Sequence, residues 1–380
     1  MKRLLLIGGG HAHVEVLRRF ALRPEPGVAI TLISPHRHTA YSGMLPGLVA
    51  GHYTFDEAHI DLAPLAQWAG AVLHPARVER FDAVNRIAHC SDGSAHGFDV
   101  CGIDIGSTPR MDVPGAREHT LGVKPVEQFL SRWSVEIERA RQGAHKDVAI
   151  VGGGAGGLEV LLAMQYAAGN AVGPTGDGPR FHLVTDTPTI LPAFAPVVRR
   201  LFARVLEQRG VDVHVGAKVT EVGPDRLRCA NGSELRADFV VWATNASAAP
   251  WVRESGLAVD ANGFMLIDRH LESTSHKGIF GSGDIASLQS ARLPKSGVFA
   301  VRKGPVLAYN LRCSLRDKAL LPFITKPSAL ALISTGDRYA VMAWGRFALA
   351  GKWVWRWKDF IDRRFMAKYR RPEPATDARR

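Results

Sequence analysis

Residues Leu4-Leu-Leu-Ile-Gly-Gly-Gly-His-Ala-His-Val-Glu-Val-Leu17 and Val148-Ala-Ile-Val-Gly-Gly-Gly-Ala-Gly-Gly-Leu-Glu-Val-Leu161 are two copies of one pattern, 144 positions apart. Each opens as a short apolar run, turns at a glycine triplet, and continues with apolar residues at helical spacing. Strand, tight turn and helix repeated in this way mark two similar α/β units in one chain. In such a unit the first glycine makes the turn and the second lets the backbone approach a pyrophosphate, while free N–H groups at the helix N-terminus face the phosphates. A Gly-rich turn also closes units that bind nothing; the second copy at matching spacing is what favours nucleotides. The loop Gly152-x-Gly154-x-x-Gly157 is complete. In the first copy, Gly8-x-Gly10-x-x-His13, an imidazole replaces the third glycine and is expected to hold the helix slightly away from the strand. Neither loop continues as Gly-Lys-Ser/Thr, which excludes a P-loop nucleotidase.

The 380 residues, 46% of them hydrophobic, suffice for the cores of two or three domains and exclude a disordered chain. No run of roughly 18 apolar residues occurs, and the apolar opening ends at Gly8, so neither a membrane span nor a signal peptide fits. The expectation is a cytoplasmic protein. Four separated cysteines, Cys90, Cys101, Cys229 and Cys313, form no C-x-x-C pair, so redox chemistry must come from a cofactor. The net charge is +12, and half of the excess lies from Lys352 onward, where ten basic residues face four acidic ones.

The ends of the two second strands carry the ribose-reading positions. Ile30-Thr-Leu-Ile-Ser34 ends in Ser34, and Phe181-His-Leu-Val-Thr-Asp186 offers Asp186, an acid that favours NADH over NADPH through the 2′-hydroxyl. Further on, Gly278-Ile-Phe-Gly-Ser-Gly283-Asp284 reads as a strand, a glycine turn and an aspartate placed to accept from sugar hydroxyls or to cap the next helix. His11, His13, His36 and His38 lack an accompanying ligand set, and no metal is expected.

Together these motifs resemble the two-dinucleotide-binding-domain flavoproteins of the pyridine nucleotide-disulfide oxidoreductase superfamily. Ile105-Gly-Ser-Thr-Pro109 and Val241-Trp-Ala-Thr-Asn245 stand where that family closes each unit, and Ala76-Arg-Val78 where its backbone meets adenine. The missing C-x-x-C directs the likeness to the type II NADH dehydrogenase branch. Gly8-Gly-Gly-His-Ala-His-Val, Tyr41-Ser-Gly-Met-Leu-Pro-Gly47, Val123-Lys-Pro125, Ile333-Ser-Thr-Gly-Asp337 and Trp355-Arg-Trp-Lys-Asp-Phe-Ile-Asp-Arg-Arg-Phe365 resemble the NADH-dehydrogenase-like proteins found fused to selenide, water dikinase. Two departures stand out. The segment Gly297-Val-Phe-Ala-Val-Arg-Lys-Gly304 lacks the glutamines that type II dehydrogenases carry near the quinone, and Cys313 alone does not supply the cysteines of sulfide:quinone enzymes.

The resemblance implies an α/β fold with two Rossmann-like dinucleotide-binding domains: 1–115 with 262–316 for FAD, and 116–261 for NAD(P)H. A small C-terminal α/β region, 317–380, follows. FAD would be held by Gly8, Gly9, Gly10, His11, Ala12, Ser34, Pro46, Val78, Gly106, Gly283, Asp284 and Val298, and NADH or NADPH by Gly152, Gly154, Ala155, Gly157, Asp186 and Ala243. Glu159 and Lys124 are the catalytic candidates. Glu159 would organise a proton relay, although an acid in a first helical turn is also favourable on its own and Glu15 stands at the equivalent place. Lys124 would place a cation beside the flavin, or be a solvated lysine. The expected activity is an FAD-dependent NAD(P)H:acceptor oxidoreductase, the acceptor being a small molecule such as a quinone. The alternative is a flavin-binding redox accessory or sensor that serves a protein partner in selenium metabolism. In the tail, Trp353, Trp357, Phe360, Ile361, Phe365 and Tyr369 are expected on one stripe with Arg356, Arg363 and Arg370 opposite. Such a helix lies at the cytoplasmic face of the inner membrane, or docks on the body or on a homodimer mate. No nucleic-acid-binding module is present.

Overall fold

In the computed structural model, residues 1–143, 146–173, 178–244, 246–291, 293–325 and 330–370 are described. Asn245, the end of the second unit-closing segment, and the last basic residues of the tail lie outside them.

The first unit begins with strand β1 (Lys2–Ile7), helix α1 (His11–Leu22), β2 (Val28–Ile33) and β3 (Ala71–His74). An antiparallel meander, β4 (Val78–Asp82), β5 (Ile87–Cys90) and β6 (Ala95–Gly97), leads into β7 (Val100–Ile103). The second unit starts with β8 (Leu121–Gly122), α2 (Val126–Arg141), β9 (Asp147–Val151), α3 (Ala155–Val172), β10 (Arg180–Val184), β11 (Asp212–His214) and β12 (Phe239–Trp242). The chain then returns to the first unit with β13 (Ile279–Gly281) and α4 (Gly297–Leu315). It ends in an antiparallel sheet of β14 (Ala331–Ser334), β15 (Ala340–Trp344) and β16 (Phe347–Gly351), followed by α5 (Lys352–Ala367).

Both large sheets are five-stranded and parallel, ordered β13-β7-β1-β2-β3 and β8-β12-β9-β10-β11. Leu4, Leu5, Leu6 and Ile7 are buried on both faces of β1, and Val148 to Val151 repeat this in β9. Such continuous apolar strands require helices on both sides. On α1, Val14, Val16, Leu17 and Phe20 are sealed in the core, and the helix packs along α4. In each sheet the order reverses beside the first strand, between β1 and β7 and between β9 and β12. The crevice beyond the carboxyl ends at such a reversal is where open α/β sheets take ligands, and the two glycine triplets stand there.

Candidate dinucleotide and flavin site

The first glycine turn is built around Asp104, which the sequence reading passed over by starting its segment at Ile105. Asp104 directly follows β7 and is almost fully buried, and its carboxylate accepts the backbone N–H of Ala12 at 2.8 Å and of His13 at 3.2 Å. Gly8 has φ +93°, and a Cβ there would lie 2.4 Å from the Asp104 carbonyl oxygen. A Cβ on Gly10 would meet the Asp104 carboxyl carbon at 2.3 Å. Gly10 is therefore required first by this aspartate, not by the approach of a phosphate. Ala12 is corrected on the same ground: its N–H is already taken. The available signal was an acid directly after the buried run Val100–Ile103.

His13 does not push the helix away. Its ring is fully buried, with Nδ1 2.7 Å from the Gly8 carbonyl oxygen. Space for it comes from the neighbouring strand, where a Cβ on Gly102 would lie 2.7 Å from His13 Nε2. Gly102 pairs with Leu6, and in the second unit Val241 pairs with the equivalent Ile150. There the bulk is on the strand and the glycine on the helix, since a Cβ on Gly157 would meet the Gly152 carbonyl oxygen at 2.2 Å. The first unit has exchanged the two sizes. Burial lowers the His13 pKa, against the opposing pull of Asp104 and the Gly8 carbonyl.

A cavity of 1890 Å³ opens from this turn. That exceeds the roughly 300–1,000 Å³ of a drug-sized pocket and leaves room for more than one group. Gly8, Gly9, Gly10, His11, Ser34, Val78, Gly106, Gly283, Asp284 and Val298 all line it, as do Lys124, Ala155 and Glu159. Pro46 does not; it is buried in the short helix Leu45–Val49, where its ring suits the first turn. His11 Nε2 accepts the Ser42 N–H at 3.3 Å, and burial lowers its pKa. Lys124 Nζ is 2.6 Å from Asp284 Oδ2, so the lysine is paired although its side chain stays 40% exposed. Burial alone would raise the Asp284 carboxyl. The Lys124 ammonium, with hydrogen bonds from Lys124 and Ser107, outweighs that and holds it below the usual carboxylate range. Lys295, on the cavity wall, and the buried Lys303 also interact electrostatically with Asp284; burial lowers both, Lys295 to about 8. This charge distribution, with glycine turns that a Cβ would fill, fits a dinucleotide diphosphate.

In the second unit Gly152, with φ +135°, packs against the Ala243 carbonyl, where a Cβ would come within 2.6 Å. Gly154 has nothing within 4 Å of a built Cβ, so its backbone faces open space. Asp186 is exposed two residues beyond β10. The paired glutamates separate in environment. Glu15 is held by Arg19 at 2.6 Å and by the Tyr369 hydroxyl. Glu159 faces the cavity and accepts the Ser334 N–H at 2.8 Å and its hydroxyl at 3.1 Å. Burial raises the Glu159 pKa, partly offset by Lys358.

Lys358 and Asp362, buried one turn apart on α5, are paired at 2.6 Å, and the lysine also donates to the Gly43 carbonyl. Tyr41 stacks on Phe365 with centroids 4.3 Å apart. The C-terminal helix is thus part of the cavity wall. This corrects the single stripe: at about 100° per residue, Phe365 and Tyr369 lie roughly a third of a turn from Trp353, Trp357, Phe360 and Ile361. The first pair is buried with Val354 and Met366 against the body. Trp353 and Phe360 remain 52% and 59% exposed, as do Trp344 (58%) and Phe347 (73%) on the adjoining hairpin β15–β16. Arg363 is engaged by Glu57 and Asp359. Among the described residues, no helix is long and apolar enough to cross a membrane.

The sequence profile of the pyridine nucleotide-disulphide oxidoreductase family matches residues 2–304. The NADH dehydrogenase-like protein YutJ of Bacillus subtilis is 25% identical over 293 residues, 77% of this chain and 78% of that protein. The demethylphylloquinone reductase NdbB of Synechocystis is 23% identical over 387 residues, covering 97% of this chain and 92% of its own. The sulfide:quinone oxidoreductase of Aquifex aeolicus has the same fold, with a TM-score of 0.80 at 21% identity, covering 97% of this chain and 92% of that one.

Proposed function

Because the chain belongs to the pyridine nucleotide-disulphide oxidoreductase family, we propose that it is an FAD-dependent NADH dehydrogenase-like oxidoreductase whose acceptor is a quinone. One observation carries this reading: a single cavity is bounded by the Gly8–His11 turn, by Ala155 and Glu159 of the second glycine loop, and by the exposed Phe360 and Ile361. A donor nucleotide, a flavin and an apolar acceptor can therefore share one space, and the likeness to a demethylphylloquinone reductase along nearly the whole chain supports the acceptor class.

The flavin supplies the hydride chemistry when bound; the protein positions and balances charge. Gly8, Gly9, His11, Ser34, Val78, Gly106 and Gly283 would hold FAD, with Asp284 kept ionised by Lys124 to accept from its sugar chain. Gly152, Gly154, Ala155 and Gly157 would hold the nicotinamide dinucleotide, and Asp186 its ribose. Glu159, whose carboxyl keeps a proton to higher pH than usual, stands beside the buried Lys358–Asp362 pair and would exchange that proton with the acceptor's side of the cavity. The exposed aromatic face of α5 and the β15–β16 hairpin would rest on a membrane surface, from which an apolar acceptor enters.

Anaerobic mixing of the purified protein with NADH, followed by a soluble quinone, tests the reading. Bleaching of the flavin band by NADH and its return with quinone are expected. Bleaching that no quinone reverses would instead favour a redox accessory serving a protein partner.

A further inference from the structure

Strands β3, β5 and β6 gather three ligand-type side chains that the dinucleotide site does not use. His74 ends β3, Cys90 ends β5 and His96 lies in β6, and one donor atom from each falls within 4.8 Å of the other two. Cys90 and His96 flank the turn Ser91-Asp-Gly-Ser94, which Gly93 tightens with φ +83°. His96 pairs with Ala88, so Cys90, two residues along, lies on the same face of the hairpin. The imidazoles of His74 and His96 are 4.6 Å apart between centroids and tilted by 59°. Ser94 Oγ stands 3.0 Å from His74 Nε2 and 3.2 Å from His96 Nε2. Asp92 Oδ2 is 2.9 Å from His74 Nε2, and Ser94 donates to the other oxygen of that carboxylate.

We propose that His74, Cys90 and His96 bind a zinc-class divalent transition ion, with Asp92 as fourth ligand. This departs from the sequence reading, which expected no metal. Two imidazoles, a thiolate and one carboxylate suit zinc, whereas calcium and magnesium require oxygen-rich shells. Tetrahedral zinc with bonds of about 2.0–2.3 Å holds its ligands roughly 3.3–3.8 Å apart, so His74, Cys90 and His96 must contract by up to about an ångström, and Asp92, which lies beside His74 but outside that triad, must swing in. Rotation of the exposed Asp92 and of the half-buried His74 and His96 toward the buried Cys90, with displacement of the Ser94 hydroxyl, supplies this. Zinc enters as the dication; the sulfur–hydrogen bond of Cys90 breaks, a zinc–thiolate bond forms, and one proton leaves to solvent with no change of oxidation state. Asp92, the most exposed of the four, gives the entry path.

The site would staple the hairpin to the edge of the first sheet. The His74 carbonyl accepts the N–H groups of Ser34 and Ala76, both of which line the cavity, so the staple lies directly behind the nucleotide wall. The inference does not rest on the function proposed above, because a chain that never turned over NADH would still present these ligands.

The full chain, stripped with a chelator and then titrated with cobalt(II), tests it by difference spectra against the metal-free protein. One equivalent should give the visible bands of a tetrahedral site and a thiolate-to-cobalt charge-transfer band, both abolished by zinc. Cys90→Ser should remove the charge-transfer band, His96→Ala should weaken cobalt binding by roughly tenfold or more, and Cys229→Ser, in the other unit, should change nothing. Should either ligand variant misfold, zinc-edge X-ray absorption on the unaltered protein decides: one sulfur among nitrogen and oxygen ligands is expected. No stoichiometric binding, a six-coordinate cobalt spectrum, or a zinc shell without sulfur overturns the proposal.

Discussion

The exchange of His13 and Gly102 predicts a specific coupling. In Gly102→Ala the new Cβ would lie 2.7 Å from His13 Nε2, about 0.7 Å inside an ordinary contact, and the ring cannot retreat because its Nδ1 is held by the Gly8 carbonyl. Overpacking of this kind costs about 1–3 kcal/mol. At roughly 2–4 °C per kcal/mol, a mid-range cost of about 2 kcal/mol lowers the melting temperature by about 4–8 °C. Since the strained ring pulls on the turn of the nucleotide site, FAD affinity should fall as well. His13→Ala alone leaves a void beside Leu6 and should cost about 2–4 kcal/mol. The double variant moves the pair toward the second unit's arrangement, large on the strand and small on the helix. Its cost should fall short of the sum of the single costs by about 1–2 kcal/mol. Thermal unfolding of the four proteins, together with FAD titration of each, completes the cycle. Strict additivity, or a silent Gly102→Ala, would refute the size exchange and leave His13 as an ordinary core histidine.

Gly10→Val should yield colourless protein, because the side chain enters the space of the Asp104 carboxylate, whereas Gly154→Val should stay yellow and lose bleaching by NADH; visible spectra with and without NADH distinguish them. Lys358→Met leaves Asp362 buried without its partner and should cost about 3–5 kcal/mol, much of it recovered in Lys358→Met/Asp362→Leu, as measured by melting temperature. The depressed carboxyl of Asp284 contributes stability above its unfolded-state pKa and loses it as pH falls through the lower folded value; Asp284→Asn should therefore flatten the acid limb of melting temperature against pH. Trp353→Glu with Phe360→Glu should weaken co-sedimentation with anionic vesicles while FAD stays bound, whereas truncation before Lys352 should release FAD, since it removes part of the cavity wall.

The doubly wound architecture was legible because it is carried by local, repeated signals. Continuous apolar strands and glycine turns keep their meaning wherever the chain goes next. The same signals pointed to Gly8, Ser34 and Asp284, and the family resemblance to Val78 and Gly106; all five line one cavity. What stayed illegible depends on pairings across long sequence separations. Asp104 acquires its role only when β7 lies beside β1 and delivers a carboxylate to the N-terminus of α1. His13 looked disruptive because the compensating glycine is 89 residues away, at a register position that no periodicity announces.

The tail shows the same limit in a single helix. Hydrophobic spacing reports that α5 has apolar residues on more than half a turn, and cannot say which portion meets protein. The division follows from polar residues instead: Lys358 and Asp362 point inward, where their charges are paired and the Gly43 carbonyl accepts from the lysine. A buried ion pair is tolerated only where its partners are fully arranged, so these two residues fix the rotation of the helix against the cavity. That rotation leaves Trp353 and Phe360 more than half exposed and Trp357 and Ile361 more than a third exposed. The outward face and the cavity wall are consequently one element, and whatever surface receives the aromatics will also set the position of Lys358 beside Glu159.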